Sequence, residues 1–113
     1  PELLAGDAIT SLDPAITRMA RAGHPVVTNS WVLNYLTDED RIEYLAELDR
    51  LGASVDLSWV YVEAPALIPG LPVPTDLDDP HQTTMTLVRW RDGKRTVDHL
   101  ATCHPHGFWL HWR

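Results

Sequence analysis

The densest chemistry in this chain is at its carboxyl end, where "ATCHPHGFWLHWR" (101–113) brings Cys103, His104, His106 and His111 together with Trp109 and Trp112. His104-x-His106 is a spacing that metals use, and His99 lies close in sequence. A small zinc protein built on His104 and His106 is therefore one reading. A structural zinc site wants four ligands in a recognisable order, and only the paired histidines fit that pattern. The same residues also read as a turn. Pro105 fixes one dihedral and Gly107 permits another, so His-Pro-His-Gly reverses the chain without any ligand.

Cys103 is the only cysteine, which excludes an internal disulfide. Cys103 and His104 are consecutive, so on an extended chain their side chains point to opposite faces. They form no thiolate–imidazole pair there. His106 could reach back across the turn, but no third group stands ready to orient it. Cys103 reads as a small buried residue.

Other candidates are sparser. Asp76, Asp78, Asp79 and His81 lack the ligand order of a calcium loop and read as a solvated acidic stretch. No glycine-rich phosphate loop and no Gly-x-Ser-x-Gly motif occurs. Ser30 follows a strand, where a nucleophile elbow would sit, but Asn29 and Trp31 are not the small neighbours an elbow requires. Glu63 ends a second strand as Asn29 ends the first. In open parallel sheets ligands bind beyond the carboxyl ends of strands. Asn29, Ser30 and Glu63 are thus expected to line one edge of the sheet, either facing a substrate or hydrogen-bonding the loops.

The elements that would carry these residues follow from pattern. Asp13-Pro14 reads as a helix start, with Ile16, Met19 and Ala20 at helical spacing and Gly23 as a left-handed stop. "VVTN" (26–29) reads as a short strand of β-branched residues, followed by "SWVLNYL" with room for one helical turn. Thr37 caps a second helix, with Asp38, Glu39 and Asp40 at its positive end. Its expected buried stripe is Ile42, Leu45, Leu48 and Leu51, and Gly52 ends it.

"LSWVYVE" (57–63) is a further strand, so residues 26–63 read as a parallel strand–helix–strand crossover. The five prolines of 64–83 leave no room for a helix or a central strand, and a loop that long is expected to be functional or to lie against something else. "TMTLVRW" (84–90) should pair through an Asp92-Gly93 turn with "KRTVDHLA" (94–101). "FWLHW" (108–112) closes the meander, with Phe108, Leu110 and Trp112 on one face and Trp109 and His111 on the other. The expected class is α/β, a partial Rossmann-like three-layer unit ending in an antiparallel β-meander. A chain of 113 residues is one domain's length.

Composition narrows the function. A net charge of -7 argues against a nucleic-acid partner, since phosphate binding needs a basic face. No apolar run approaches the roughly 20 residues that span a bilayer, no signal peptide is visible, and a cytoplasmic location is expected. The chain opens at Pro1 inside sequence that reads as folded, as expected of the carboxyl-terminal portion of a longer protein.

Taken in order, "GDA" (6–8), a helix, "VVTNSWVLNYLTDEDR" (26–41), "WVYVEAP" (59–65) and a terminal meander resemble the carboxyl-terminal half of a Rossmann-like S-adenosylmethionine-dependent methyltransferase. More narrowly, "VVTNSWVLNYL", "VEAPALIPGLP" (62–72) and "HPHGFWLHW" (104–112) resemble the final third of a bacterial family labelled only as a domain of unknown function.

The methyltransferase resemblance implies that Asp7 stands on the adenine side of a cofactor and that Asn29 and Ser30 belong to the loop after the fourth strand. The narrower one implies that His106-Gly107 is the closing turn, facing substrate. The glycine-rich loop that would hold the rest of the cofactor is absent. S-adenosylmethionine is therefore expected only in a parent chain, with none for this stretch alone.

The expected partner is the missing amino-terminal half, or a second copy paired through the sheet edge at "VVTN", which isolated parallel strands would leave bare. The rival expectation is a non-catalytic interaction module. Five tryptophans and the proline-rich loop suggest it, and exposure of Trp31, Trp59 or Trp109 would favour it.

Overall fold

A computed structural model describes residues 2–79 and 81–113. Helix α1 (Leu12–Ala20) leads into strand β1 (Val26–Ser30), a 3-10 turn (Leu33–Tyr35), helix α2 (Asp38–Gly52) and strand β2 (Leu57–Glu63). A second 3-10 turn (Pro65–Leu67) opens the proline-rich loop, and β3 (Thr84–Arg91), β4 (Lys94–Cys103) and β5 (Leu110–Trp112) follow. The strands form one sheet in chain order, β1 to β5. β1 and β2 are parallel and every later pair is antiparallel, so the expected α/β unit with its closing meander is present.

Local chemistry accounts for most of these boundaries. The Thr37 side chain accepts from Asp40 N–H while the Asp40 carboxylate accepts from Thr37 N–H, a complete capping box at the start of α2. Asp92 and Gly93 both take positive φ, 50° and 71°, as a two-residue hairpin turn between β3 and β4 requires.

Two expectations at the ends of α1 are corrected. α1 begins at Leu12 rather than at an Asp13 cap, because Ile9 and Leu12 are both buried and the entering turn is set by them. Asp13 instead accepts from Thr17 Oγ1 at 3.0 Å and from Arg50 Nη2 at 2.5 Å, fastening α1 to α2. Gly23 is not left-handed; α1 closes through Ala22 and Gly23 N–H groups donating to Met19 O. α2 ends at Gly52 as expected; the residue is not left-handed, and the close approach of Trp90 described below is what requires a glycine there.

Both helices pack on the sheet face that carries Leu57, Trp59 and Tyr61 of β2 with Val88 and Trp90 of β3. Tyr44 of α2 stacks on Trp59 at 5.6 Å, and Trp59 on Tyr61 at 4.5 Å. Ile42 does not belong to the α2 stripe: it is 54% exposed, and Tyr44, Leu45, Leu48 and Leu51 are buried in its place.

The proline-rich loop does lie against something, namely its own sheet. Ile68 and Leu71 enter the core, Arg95 donates to Gly70 O, and a His99 ring nitrogen lies 3.1 Å from Pro72 O. Prolines exclude helix interiors but tolerate a first turn, which is why Pro65–Leu67 is 3-10 after all. Among the described residues no helix covers the opposite sheet face.

Candidate functional site

The open face forms a cleft of about 470 Å³ at the carboxyl ends of the two parallel strands. Ser30 ends β1 and Val62 nearly ends β2, so both reach it from the sheet, with Met85 of β3 beside them. The β4–β5 turn supplies the far wall through His104, His106 and Trp109. A second cleft of about 370 Å³ shares Cys103, Pro105 and Trp109 and adds Trp31, Asp78, Asp79 and His81. Clefts at the carboxyl ends of parallel strands are where open α/β sheets bind ligands.

The turn itself is built as its sequence demands. Gly107 takes φ 75° and donates to His104 O at 2.9 Å, while His104 N–H donates to Trp109 O. His106 N–H donates to His104 Nδ1 at 3.1 Å. With Nδ1 an acceptor, the neutral His104 ring keeps its proton on Nε2 as a donor. The two rings lie 5.7 Å apart, and His104 also stacks against Phe108 at 4.7 Å. β5 is correspondingly shorter than expected: Phe108 stays in the turn, 82% exposed, and the strand starts at Leu110.

The sequence candidates are divided between two faces. Ser30 and His106 meet in the first cleft. Asn29 and Glu63 meet on the opposite face, where Asn29 Nδ2 donates to Glu63 Oε1 at 3.2 Å and Trp59 Nε1 donates to Asn29 Oδ1 at 2.5 Å. Alternation along β1 explains the split, since neighbouring residues point to opposite sides.

Glu63 has no exposed surface. Burial raises its proton affinity, against the pull of the Leu33 and Val32 amides, Asn29 and the Arg41 guanidinium. Asp7 is elsewhere: its Oδ1 accepts from Ile9 N–H and Thr10 N–H at 2.9 and 3.0 Å, and its carboxyl is held below the usual range chiefly by the Thr10 amide.

Among the described residues no three histidine, cysteine, aspartate or glutamate side chains gather as a metal site. His99 lies 2.9 Å from Thr86 Oγ1 and is committed to the proline-rich loop, away from His104. Cys103 is buried, its thiol faces Thr83 O at 3.8 Å, and burial pushes its pKa up, the reverse of an activated nucleophile. Of the tryptophans, Trp59 is fully buried, Trp109 is 39% exposed and Trp112 is 71% exposed.

Arg41 is a residue that pattern alone did not single out. Its Nη1 donates to Leu33 O at 3.0 Å and Leu36 O at 2.8 Å, tying the turn after β1 to α2. No sequence signal marks this, because the partners are backbone carbonyls.

Among the described residues no helix is long and apolar enough to cross a membrane. Residues 1–112 match the model of a family described as "Uncharacterized protein conserved in bacteria (DUF2332)". No curated protein and no solved structure matches the chain.

Proposed function

The chain belongs to this uncharacterised bacterial family, and from that premise we propose that it is the substrate-side half of a Rossmann-like, methyltransferase-related domain. It binds a small planar molecule in the cleft between Ser30 and the His104–Trp109 turn. The observation that carries this reading is the position of the cleft, beyond the carboxyl ends of the parallel pair β1 and β2. Trp109 offers a face for stacking, while Ser30 Oγ, His104 Nε2 and the His106 ring offer hydrogen bonds around it.

S-adenosylmethionine is the cofactor of this reading only in a longer parent protein. No glycine-rich loop is present to hold it, and the Asp7 Oδ1 is spent on its own turn. The residues here do not make a cofactor pocket by themselves. What they supply is orientation of the acceptor molecule, which is the larger part of what a methyl transfer requires.

Calorimetric titration of S-adenosylmethionine into this chain and into a parent-length protein tests the reading. Heat from the parent alone is the expected result, and silence from both removes the cofactor.

A second reading, an interaction module, is favoured by β1, which among the described residues is an edge strand with no outer neighbour. Pro25 O accepts from Ser58 N–H and Trp31 N–H donates to Val62 O, so the odd-numbered residues of β1 pair inward. Val26, Thr28 and Ser30 therefore turn their backbone groups outward, with no charge or internal proline to guard them. The missing amino-terminal half or a second copy would complete the sheet there. Sedimentation of this chain, with Thr28→Pro as the control, separates self-pairing from a lone monomer.

A further inference from the structure

Glu63 is buried with its two oxygens in unlike surroundings. Oε1 accepts three hydrogen bonds, from Val32 N–H at 2.8 Å, Leu33 N–H at 3.0 Å and Asn29 Nδ2 at 3.2 Å. Oε2 is sealed from solvent and, among the described residues, has no hydrogen-bond partner. An ionised carboxylate shares its charge between both oxygens, so one dry oxygen is costly. A neutral acid suits the asymmetry better, with its carbonyl oxygen taking the donors and its hydroxyl on the sealed side.

The donors come from a turn shaped to converge on one acceptor. Trp31 has φ 53°, and Val32 follows in the right-handed region at φ -96° and ψ -42°. A left-handed residue beside a right-handed one aims successive amides at a single point. A tryptophan in the left-handed region is strained and persists only where its surroundings hold it. Arg41 holds the carbonyl side of the same turn, at Leu33 and Leu36.

We propose that Glu63 is a pH-operated latch on residues 31–36. As a neutral acid it stays buried and keeps Trp31 in the wall of the second cleft; its ionisation draws in water and releases the turn with Trp31. Only the consequence for ligand access rests on the cleft reading above.

The charged and titratable groups around Glu63 are few. Arg41 from α2 favours its ionised form, with Asp38 paired to that guanidinium on the outside. Tyr61 on β2 is pushed up to about 12 by burial and stays neutral. Asn29 on β1 and Thr84 opposite on β3 carry no charge, and His99 on β4 meets Thr86, which is hydrogen-bonded to Thr84. Burial outweighs these pulls and raises the proton affinity of the closed form. A raised value means that the closed turn is favoured at low pH and weakens as pH rises through it.

The test is a pH titration of the 113-residue chain by NMR, following the Glu63 carboxyl carbon and the Trp31 indole N–H together. The expected result is a Glu63 midpoint above the usual 4.5, with the Trp31 resonance moving at the same midpoint. In Glu63→Gln, which keeps the accepting oxygen and cannot ionise, the Trp31 resonance should hold its low-pH position throughout. A midpoint at or below the usual value overturns the latch. So does a Trp31 resonance that ignores Glu63, or one that still moves in a folded Glu63→Gln. Should that variant not fold, the wild-type pair of titrations decides alone. The titration is read without any ligand, so its failure removes the latch alone, while the calorimetric titration above decides the cofactor reading separately.

Discussion

Gly52 and Trp90 are packed so closely that a β-carbon at position 52 would lie 2.2 Å from the Trp90 Cγ. The glycine is in the last turn of α2, where alanine would ordinarily be favoured by about 1 kcal/mol. Here the indole is fixed on β3, 2% exposed, and cannot swing aside. Gly52→Ala should therefore destabilise the fold by about 1–3 kcal/mol, as overpacked cores do. Thermal unfolding followed by circular dichroism would show it as a drop of several degrees. An unchanged midpoint would mean that α2 can shift on the sheet.

Trp90 is held from the other side by Asp49. Its Nε1 donates to Asp49 Oδ1 at 2.8 Å, while Arg95 Nη1 donates to Asp49 Oδ2 at 2.7 Å. Asp49→Ala leaves the buried indole N–H unpaired, at a cost of about 1–3 kcal/mol. Asp49→Asn keeps one accepting oxygen for the indole and should lose less. Urea unfolding of the two variants checks the order. Equal losses would place the whole effect in the Arg95 contact.

How much of this was legible in the sequence depended on the range of the interactions. The Thr37 cap and the Asp92-Gly93 turn are local, and both are legible because their partners lie within three residues. Gly52 does end α2, as its local pattern indicates, but the constraint that requires a glycine comes from β3, far along the chain. Ile42 fitted a helical stripe as well as Tyr44 did, and only the position of Trp59 on the sheet decides between them.

The candidate site divides the same way. Glu63 ends its strand as expected, and β1 runs one residue past the expected end at Asn29 to include Ser30, but which face each one takes depends on strand alternation and on the helices packing on one side. That an acidic residue should be fully buried, served by the amides of a turn some thirty residues earlier, has no composition or spacing signal.

Cys103 offers a clean check on the exclusion of thiol chemistry. The residue is 5% exposed, and burial raises its pKa. Both effects lower the thiolate available for attack. At pH 8 a disulfide reagent such as dithionitrobenzoate should react far more slowly with the folded chain than with the chain in denaturant. Rapid reaction in the folded state would return Cys103 to the candidates for catalysis.

His99 gives the fold a second pH dependence, opposite in sign to that of Glu63. One ring nitrogen meets Thr86 Oγ1 and the other Pro72 O, so the ring bridges the sheet and the proline-rich loop. Burial lowers its pKa from the usual 6.5, although the Pro72 carbonyl pulls the other way. A lowered value in the folded state means that the unfolded chain takes up the proton first as pH falls. Stability from His99 is then complete above about 6.5 and is lost progressively as pH falls from there through the folded value. Glu63, with a raised value, loses its contribution as pH rises instead. Urea unfolding of the wild type and of His99→Gln at pH 7.5 and 5.5 separates them. The wild type should lose more stability than the variant on acidification. Parallel losses would mean that folding does not lower the proton affinity of the ring.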